Sequence, residues 1–439
     1  MLYRILKFLI GLGIRIYYRE IKVINQGHLQ SKKPLIIIAN HPNTLMDAWV
    51  IGMVCKQPIY YMAKATLFDS RFKLYLLKSL NMIPINRKGE GEIKGVNNDD
   101  SLEECYRVLE EGKTLVIFPE GTSYKERVLR KLKTGTARIA LETERRNDGK
   151  LGLEVVAVGL NYSQPEKFRS KILIHVDKPK KVLPYLEEYK TNEIEAARTL
   201  TDDFRISLEK VLLTVESNED ELLIDQLYKL LNSKYEKNSK RGINQQLVQL
   251  KDIKAKIDEL KLLEPWRLNE IELRMKATQW KLEKLKIRAE MLDRNLKFWL
   301  FVRQLFTSLL FILVAFPLFI YGAIIHIVPF QLTDYIIPKL SKDIEYYAPF
   351  AVLLGIVFYP LNYAIILYVV GYLVFGLSTN AIILVLLSFP LAGLFAYWFV
   401  AYLKHISFKW RYLLLMVDRK NALKELQKEK QSLRKLVFE

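Results

Sequence analysis

His41 and Asp47 stand within one short block, Asn40-His41-Pro42-Asn43-Thr44-Leu45-Met46-Asp47, which directly follows the apolar run Leu35-Ile36-Ile37-Ile38. If that run is a strand of an open parallel sheet, the block lies just beyond its carboxyl end, where such sheets bind ligands. Pro42 biases His41 away from helical geometry, and Thr44 suits a helix N-cap, which would put Asp47 at the third helical position. A carboxylate accepting the imidazole Nδ1 proton leaves Nε2 free and stabilises the imidazolium formed on proton capture, so the pair has the makings of a general base. The same residues also fit an acidic variant of a capping box with His41 as a loop residue. Spacing alone leaves both readings open.

Phe118-Pro119-Glu120-Gly121-Thr122-Ser123 closes a second apolar run, Thr114 to Ile117. Backbone N–H groups and hydroxyls in such a turn can hold a phosphate or a hydroxyl substrate, with Glu120 fixing the turn or accepting from a substrate donor. A Pro-Glu-Gly-Thr turn is also an ordinary structural turn. Arg87, after Met82-Ile83-Pro84-Ile85-Asn86, stands at a third strand end. Arginine binds phosphate bidentately, although a surface ion pair would explain it equally well.

The elements that must position these blocks alternate between short β-branched runs and longer segments of helical period over 21–216, which predicts an α/β domain with a mostly parallel sheet flanked by helices. Strands are expected at Pro34 to Asn40, Ile59 to Met62, Met82 to Asn86, Thr114 to Phe118, Glu154 to Gly159 and Lys171 to Val176. Helices are expected at Leu45 to Cys55, Phe68 to Leu80, Asp100 to Glu111 and Thr134 to Arg145.

The 439 residues carry 67 Lys and Arg against 48 Asp and Glu, a net charge of +19, and half are apolar. That excludes a mostly disordered chain. Cys55 and Cys105 alone give no disulfide framework and no four-cysteine zinc cluster. From Gln304 to Thr333 the chain runs 30 residues without Asp, Glu, Lys or Arg, and from Tyr346 to Leu403 it runs 58 more. About 20 apolar residues span a bilayer. The region 299–405 therefore reads as transmembrane helices, one from the first run and two from the second, divided near Ser378-Thr379-Asn380. Within 1–20, Arg4, Lys7 and Arg15 share one face and Leu2, Ile5, Leu6, Leu9, Ile10 and Ile16 lie opposite, the pattern of an amphipathic helix at a membrane interface.

Residues 217–298 read as a helical hairpin folded at Pro265, coiled-coil-like in its Ile271, Met275, Thr278, Leu282, Leu285, Ala289, Leu292 and Leu296 row. Residues 406–439 read as a basic helical tail. The loop Asp334 to Glu345 carries Lys339 and Lys342 against Asp334, Asp343 and Glu345, whereas both flanks of the apolar region are basic, so the flanks and the catalytic domain are expected on the cytoplasmic side, at the inner membrane if the source is bacterial. Basic flanks on both ends fit an even number of crossings, while the apolar lengths suffice for three, so the span count is open, with a re-entrant segment around Pro360 or Pro390 as the alternative.

Other chemistries find no support. No Gly-x-Ser-x-Gly elbow occurs. Gly112-Lys113-Thr114 lacks the preceding glycine of a phosphate loop, position 107 being Arg107. The five histidines form no paired metal motif, so no metal is expected. Basic residues interleave with acids along helices, which argues against nucleic acid. A basic membrane scaffold without catalysis stands as the alternative to an enzyme.

The order of the blocks Asn40 to Asp47, Ile83-Pro84-Ile85-Asn86-Arg87, Phe118 to Ser123 and Val155-Val156-Ala157-Val158-Gly159-Leu160-Asn161-Tyr162 resembles the four motifs of the glycerolipid acyltransferase superfamily, also called the PlsC or lysophosphatidate acyltransferase family. The likeness covers about 21–215. It implies that His41 and Asp47 form a catalytic dyad, that Arg87 and the turn Glu120, Gly121, Thr122 and Ser123 bind a glycerol phosphate acceptor, and that the last block supports the acyl-donor site. Five residues separate His41 from Asp47 instead of the usual four, an HX5D form similar to that of fungal glycerol-3-phosphate and dihydroxyacetone-phosphate acyltransferases. No arginine follows Thr122, so Lys125 or Lys133 is expected in its place.

The resemblance implies acyl transfer in phospholipid biosynthesis, from acyl-CoA or acyl carrier protein to a hydroxyl of glycerol-3-phosphate or lysophosphatidate, with another lysolipid as an alternative acceptor. No cofactor beyond the thioester is implied. The partner expected is a phospholipid membrane, and a homo-oligomer is left open.

Overall fold

A computed structural model describes residues 2–31, 33–86, 97–231, 242–293 and 298–439. Arg87 lies outside them. The chain divides into two compact units, one of 1–216 with 337–356, the other of 217–336 with 357–439.

The first unit runs α1 (Leu2–Tyr17), β1 (Glu20–Ile24), β2 (Leu35–Ala39), α2 (Leu45–Val54), β3 (Ile59–Lys64), α3 (Arg71–Ser79), β4 (Met82–Ile85), α4 (Asn98–Glu110), β5 (Thr114–Ile117), α5 (Gly135–Arg146), β6 (Glu154–Tyr162), β7 (Lys171–Val176), β8 (Lys180–Lys181), α6 (Leu186–Thr191) and α7 (Glu193–Val211). The eight strands form one sheet in the order β1-β7-β6-β2-β5-β3-β4, with β8 paired to β6. It is mostly parallel. The exceptions are the β6–β7 and β6–β8 pairs, which are antiparallel.

β2 sits between β5 and β6, and all five of its residues are buried. A parallel strand covered by helices on both faces needs such an unbroken apolar run. The strand period of two sends Ile36 and Ile38 into a core with α4, α5 and α7, and Leu35, Ile37 and Ala39 into another with α1 and α2. The crossovers β2-α2-β3 and β3-α3-β4 step one way across the sheet, while β4-α4-β5 and β5-α5-β6 step back. Right-handed crossovers therefore place α2 and α3 on one face and α4 and α5 on the other.

Three local expectations are corrected. β1 at Glu20–Ile24 was not foreseen and pairs in parallel with β7. The helix expected at Phe68 to Leu80 is broken: a 3-10 turn at Ala65–Phe68 precedes α3, whose N-cap Ser70 accepts the Lys73 N–H. That serine satisfies an orphan helix donor and so fixes the true start. Thr44 precedes α2 but makes no side-chain capping bond, and its hydroxyl instead donates to Glu345 O at 3.0 Å. α1 packs Gly11, Ile14 and Tyr17 inward and leaves Leu2, Ile5, Phe8, Leu12 and Ile16 exposed.

The second unit contains α8 (Asn218–Leu231), α9 (Ile243–Leu263), α10 (Pro265–Leu285), most of α11 (Phe298–Leu340), the later part of α12 (Tyr347–Ile366), α13 (Thr379–Asp418) and α14 (Lys420–Phe438). Pro265 opens α10 at the first helical position, where its missing N–H costs nothing. Ile271, Met275, Thr278 and Leu282 are buried. The expected row leaves α10 after Leu285, where Lys286 is left-handed at φ 54° and ends the helix, and Leu296 lies outside the described residues. The boundary expected at 405 falls inside α13.

Among the described residues, three helices are long and apolar enough to cross a membrane, Val302–Leu340, Ile344–Val374 and Thr379–Asp418. Ser378, at the expected division, N-caps α13. In the second unit α11 and α12 are joined by His326, whose Nδ1 bonds Gly322 O at 2.7 Å. A carbonyl only accepts, so Nδ1 carries the proton and Nε2 accepts the Tyr363 hydroxyl at 2.7 Å.

Candidate active site

The carboxyl end of β2 delivers Asn40, whose side chain bridges to β6: Nδ2 donates to Leu160 O at 3.1 Å and Oδ1 accepts Leu160 N–H at 2.8 Å. That double bond fixes the backbone immediately before His41. His41 Nδ1 and Asp47 Oδ2 are 2.9 Å apart. The imidazole retains 15% of its side-chain surface, and the carboxylate retains none. Asp47 Oδ2 also accepts the Asn43 N–H at 2.7 Å, and Oδ1 accepts the Tyr162 hydroxyl at 2.8 Å.

The proton on Nδ1 is assigned by its acceptor, so Nε2 is the basic nitrogen. Phe118 stacks on the imidazole with centroids 3.9 Å apart and planes 10° from parallel, which limits ring rotation. Burial raises the Asp47 carboxyl above its ordinary range, while the bonds from His41, Asn43 and Tyr162 pull it back. Burial likewise holds the Tyr162 hydroxyl well above its usual value, so it remains a donor.

The turn after β5 is clamped to the same place. Glu120 Oε1 accepts the His41 N–H and Oε2 accepts the Arg130 N–H, each at 3.3 Å. Burial raises this carboxyl too, against the lowering effect of those two backbone donors. His41 O accepts the Tyr124 N–H at 3.1 Å, and Ser123 Oγ accepts the Thr44 N–H at 3.2 Å. The two strand-end loops are thus cross-linked at three points.

Gly121 N–H closes the turn onto Phe118 O, and its φ of 78° is the left-handed region that favours glycine. A methyl group there would fall 2.5 Å from Lys133 Nζ, so the Lys133 side chain lies directly over the turn. Lys125 is turned to Glu166, 3.1 Å away.

Of the residues expected in a site, His41, Asp47, Glu120, Gly121, Ser123 and Lys133 come together, with Thr122 half-buried in the same turn. Arg87 lies outside the described residues. Glu120 is engaged in fixing the turn, through both oxygens. Sequence reasoning missed the partnership of Tyr162 with Asp47 and the stacking of Phe118. No sequence signal marks the first, because it depends on β6, which Tyr162 ends, lying beside β2. Asn43 was missed as well. It is buried, and its Nδ2 donates to Tyr18 Oη and Pro165 O.

A histidine bonded to a buried acid thus stands beside a polar turn, and comparison with known proteins shows what the chain is similar to. The family model described as Acyltransferase matches residues 20–161. The chain is 30% identical to the 1-acyl-sn-glycerol-3-phosphate acyltransferase of Bacillus subtilis over 27% of its length and 56% of that protein's. It is 28% identical to glycerol-3-phosphate O-acyltransferase 1 of Saccharomyces cerevisiae over 27% of its length and 16% of that protein's. The chain thus spans little more than half of one of these curated relatives and a sixth of the other. The crystal structure of the 1-acyl-sn-glycerophosphate (LPA) acyltransferase PlsC from Thermotoga maritima aligns with a TM-score of 0.31 and 20% identity, over 44% of this chain and 79% of that one.

Proposed function

We propose that this chain is a membrane-bound O-acyltransferase that moves a fatty acyl group from an acyl-CoA or acyl carrier protein thioester to a hydroxyl of glycerol-3-phosphate or lysophosphatidate. The observation that carries the reading is the His41–Asp47 pair, 2.9 Å apart with the carboxylate wholly buried. A charge removed from water needs a compensating role, and holding a general base is one.

His41 Nε2 takes the proton of the acceptor hydroxyl as its oxygen attacks the thioester carbonyl carbon. The tetrahedral intermediate collapses with cleavage of the C–S bond, and the imidazolium returns its proton to the leaving sulfur. An ester and a free thiol result, with no covalent enzyme intermediate and no further cofactor. Positioned general-base catalysis contributes about 10² to 10⁴ in rate. Lys133, over the Gly121 turn, supplies the positive charge for the acceptor phosphate, and Arg87 is assigned to the same phosphate from the family resemblance alone.

The three long apolar helices support placement in a phospholipid membrane, and the basic flanks support a cytoplasmic catalytic domain. The test is to reconstitute the full chain in vesicles and offer glycerol-3-phosphate, dihydroxyacetone phosphate, lysophosphatidate and other lysolipids in turn, with labelled acyl-CoA or acyl carrier protein. A labelled ester formed on a phosphate-bearing acceptor is expected. Acyl transfer only to acceptors without phosphate would overturn the assignment of Lys133, and transfer to none of them would overturn the enzyme.

A further inference from the structure

α3 departs from every other helix of the first unit in having no buried residue at all. Phe72 and Tyr75 are 73% and 75% exposed, and Leu67, in the turn before the helix, is 39% exposed. Arg71, Lys73 and Lys78 stand exposed among them; α3 itself contains no acidic residue, and Asp69 just before it pairs with Lys73 at 2.8 Å, which leaves Arg71 and Lys78 as the excess positive charge. Leu74, Leu76 and Leu77 are only half-buried against the domain, and a helix so lightly packed that displays two aromatic rings and three cations has the composition of an interfacial membrane helix, rings at the headgroup boundary and cations on lipid phosphate.

The placement of α3 in the fold selects lipid over a protein partner. Right-handed crossovers put α3 on the same sheet face as α2, and α1 packs on that face through Ile14. Ala348 and Val352 of α12 belong to this same core. Gly13 of α1 approaches α12 so closely that a methyl group there would meet Val352 Cγ1 at 2.8 Å. Ala348 and Val352 lie near the start of Ile344–Val374, one of the segments able to cross a membrane. The face that carries α3 is therefore the one against which a membrane segment begins, and the exposed apolar residues of α1 lie on it too.

We propose that the turn Ala65–Phe68 and α3 form a second interfacial anchor, with Leu67, Phe72 and Tyr75 at the acyl boundary and Arg71 and Lys78 against anionic headgroups. The inference rests on the membrane placement proposed above. It would hold the β3 and β4 edge of the sheet at the bilayer surface, on the far side of β5 from β2 and its histidine.

Phe72→Cys, Tyr75→Cys, Lys150→Cys and Leu313→Cys, made singly in the full chain and labelled with an environment-sensitive fluorophore, test it in vesicles of phosphatidylcholine and phosphatidylglycerol. Both native cysteines are buried, so labelled wild type gives the background. Leu313 is an exposed residue of an apolar span, and Lys150 is an exposed residue of the catalytic unit beyond α5. Labels at 72 and 75 are expected to shift to the blue and to be quenched by spin-labelled lipid but not by iodide, like 313 and unlike 150. Quenching of 72 and 75 by iodide overturns the anchor, and shielding from both quenchers overturns it in favour of a second copy or another protein. If 313 also escapes the lipid quencher, the membrane placement itself fails. Lipid quenching at 75 should be stronger with phosphatidylglycerol present, and R71E with K78E should abolish that difference. Persistence of the difference would overturn the headgroup contact.

Discussion

Tyr162 donates its hydroxyl to Asp47 Oδ1 at 2.8 Å across 115 positions of sequence, and so joins the end of β6 to the acid that holds His41. This bond is one of the forces that keep the Asp47 carboxyl from rising further. Tyr162→Phe removes it with little change of shape. A hydrogen bond to a charged group contributes about 1.5–3 kcal/mol, which bounds the fall in kcat at roughly 10- to 100-fold. KM should change little, and the acidic limb of the rate profile should move to higher pH. A steady-state pH series checks both, and a limb that stays in place would contradict this role for Tyr162.

Asp47→Asn separates stability from activity. Burial makes the native carboxyl bind its proton more tightly than the unfolded chain does, so unfolding free energy falls as pH rises between the ordinary carboxylate value and the raised native one. Its burial therefore weakens the fold once the pH exceeds the ordinary carboxylate value. The asparagine variant escapes that penalty but turns an amide N–H toward donors the carboxylate accepted, so its melting temperature should depend less on pH than the wild type's without exceeding it. Its activity should fall, by about 10⁴ if loss of the correct imidazole tautomer acts as in a serine-protease triad. Thermal melts across pH beside acyl-transfer assays decide the matter.

Glu120 is a clamp whose two oxygens each accept one backbone N–H. Glu120→Gln leaves one acceptor and turns an amide N–H toward the other donor. An unmet buried polar group costs about 1–3 kcal/mol, so the melting temperature should fall and kcat with it, because His41 loses its backbone tether. A variant that melts and turns over like the wild type would show that the clamp is dispensable.

Much of this site was legible because parallel sheets put chemistry at strand ends. The apolar run Leu35 to Ile38 located His41, and the run Thr114 to Ile117 located the Glu120 turn. The pairing of strands was not legible. Only the neighbouring of β2 by β6 brings Tyr162 onto Asp47, and no local pattern encodes that adjacency. β1 escaped notice because five residues with alternating charge, Glu20 to Ile24, read equally well as the tail of α1. The continuous helix expected from Phe68 failed because the Asp69-Ser70 capping signal was outweighed by the apolar periodicity on either side. The expected row leaves α10 at Lys286, whose left-handed backbone no heptad pattern reveals.

The central claim is that His41 is the base, and acyl transfer by His41→Gln in vesicles tests it most directly. With labelled thioester and glycerol-3-phosphate or lysophosphatidate, kcat should drop by about 10² to 10⁴ while insertion and melting stay as in the wild type. A His41→Gln protein that forms labelled ester at the wild-type rate would contradict the account.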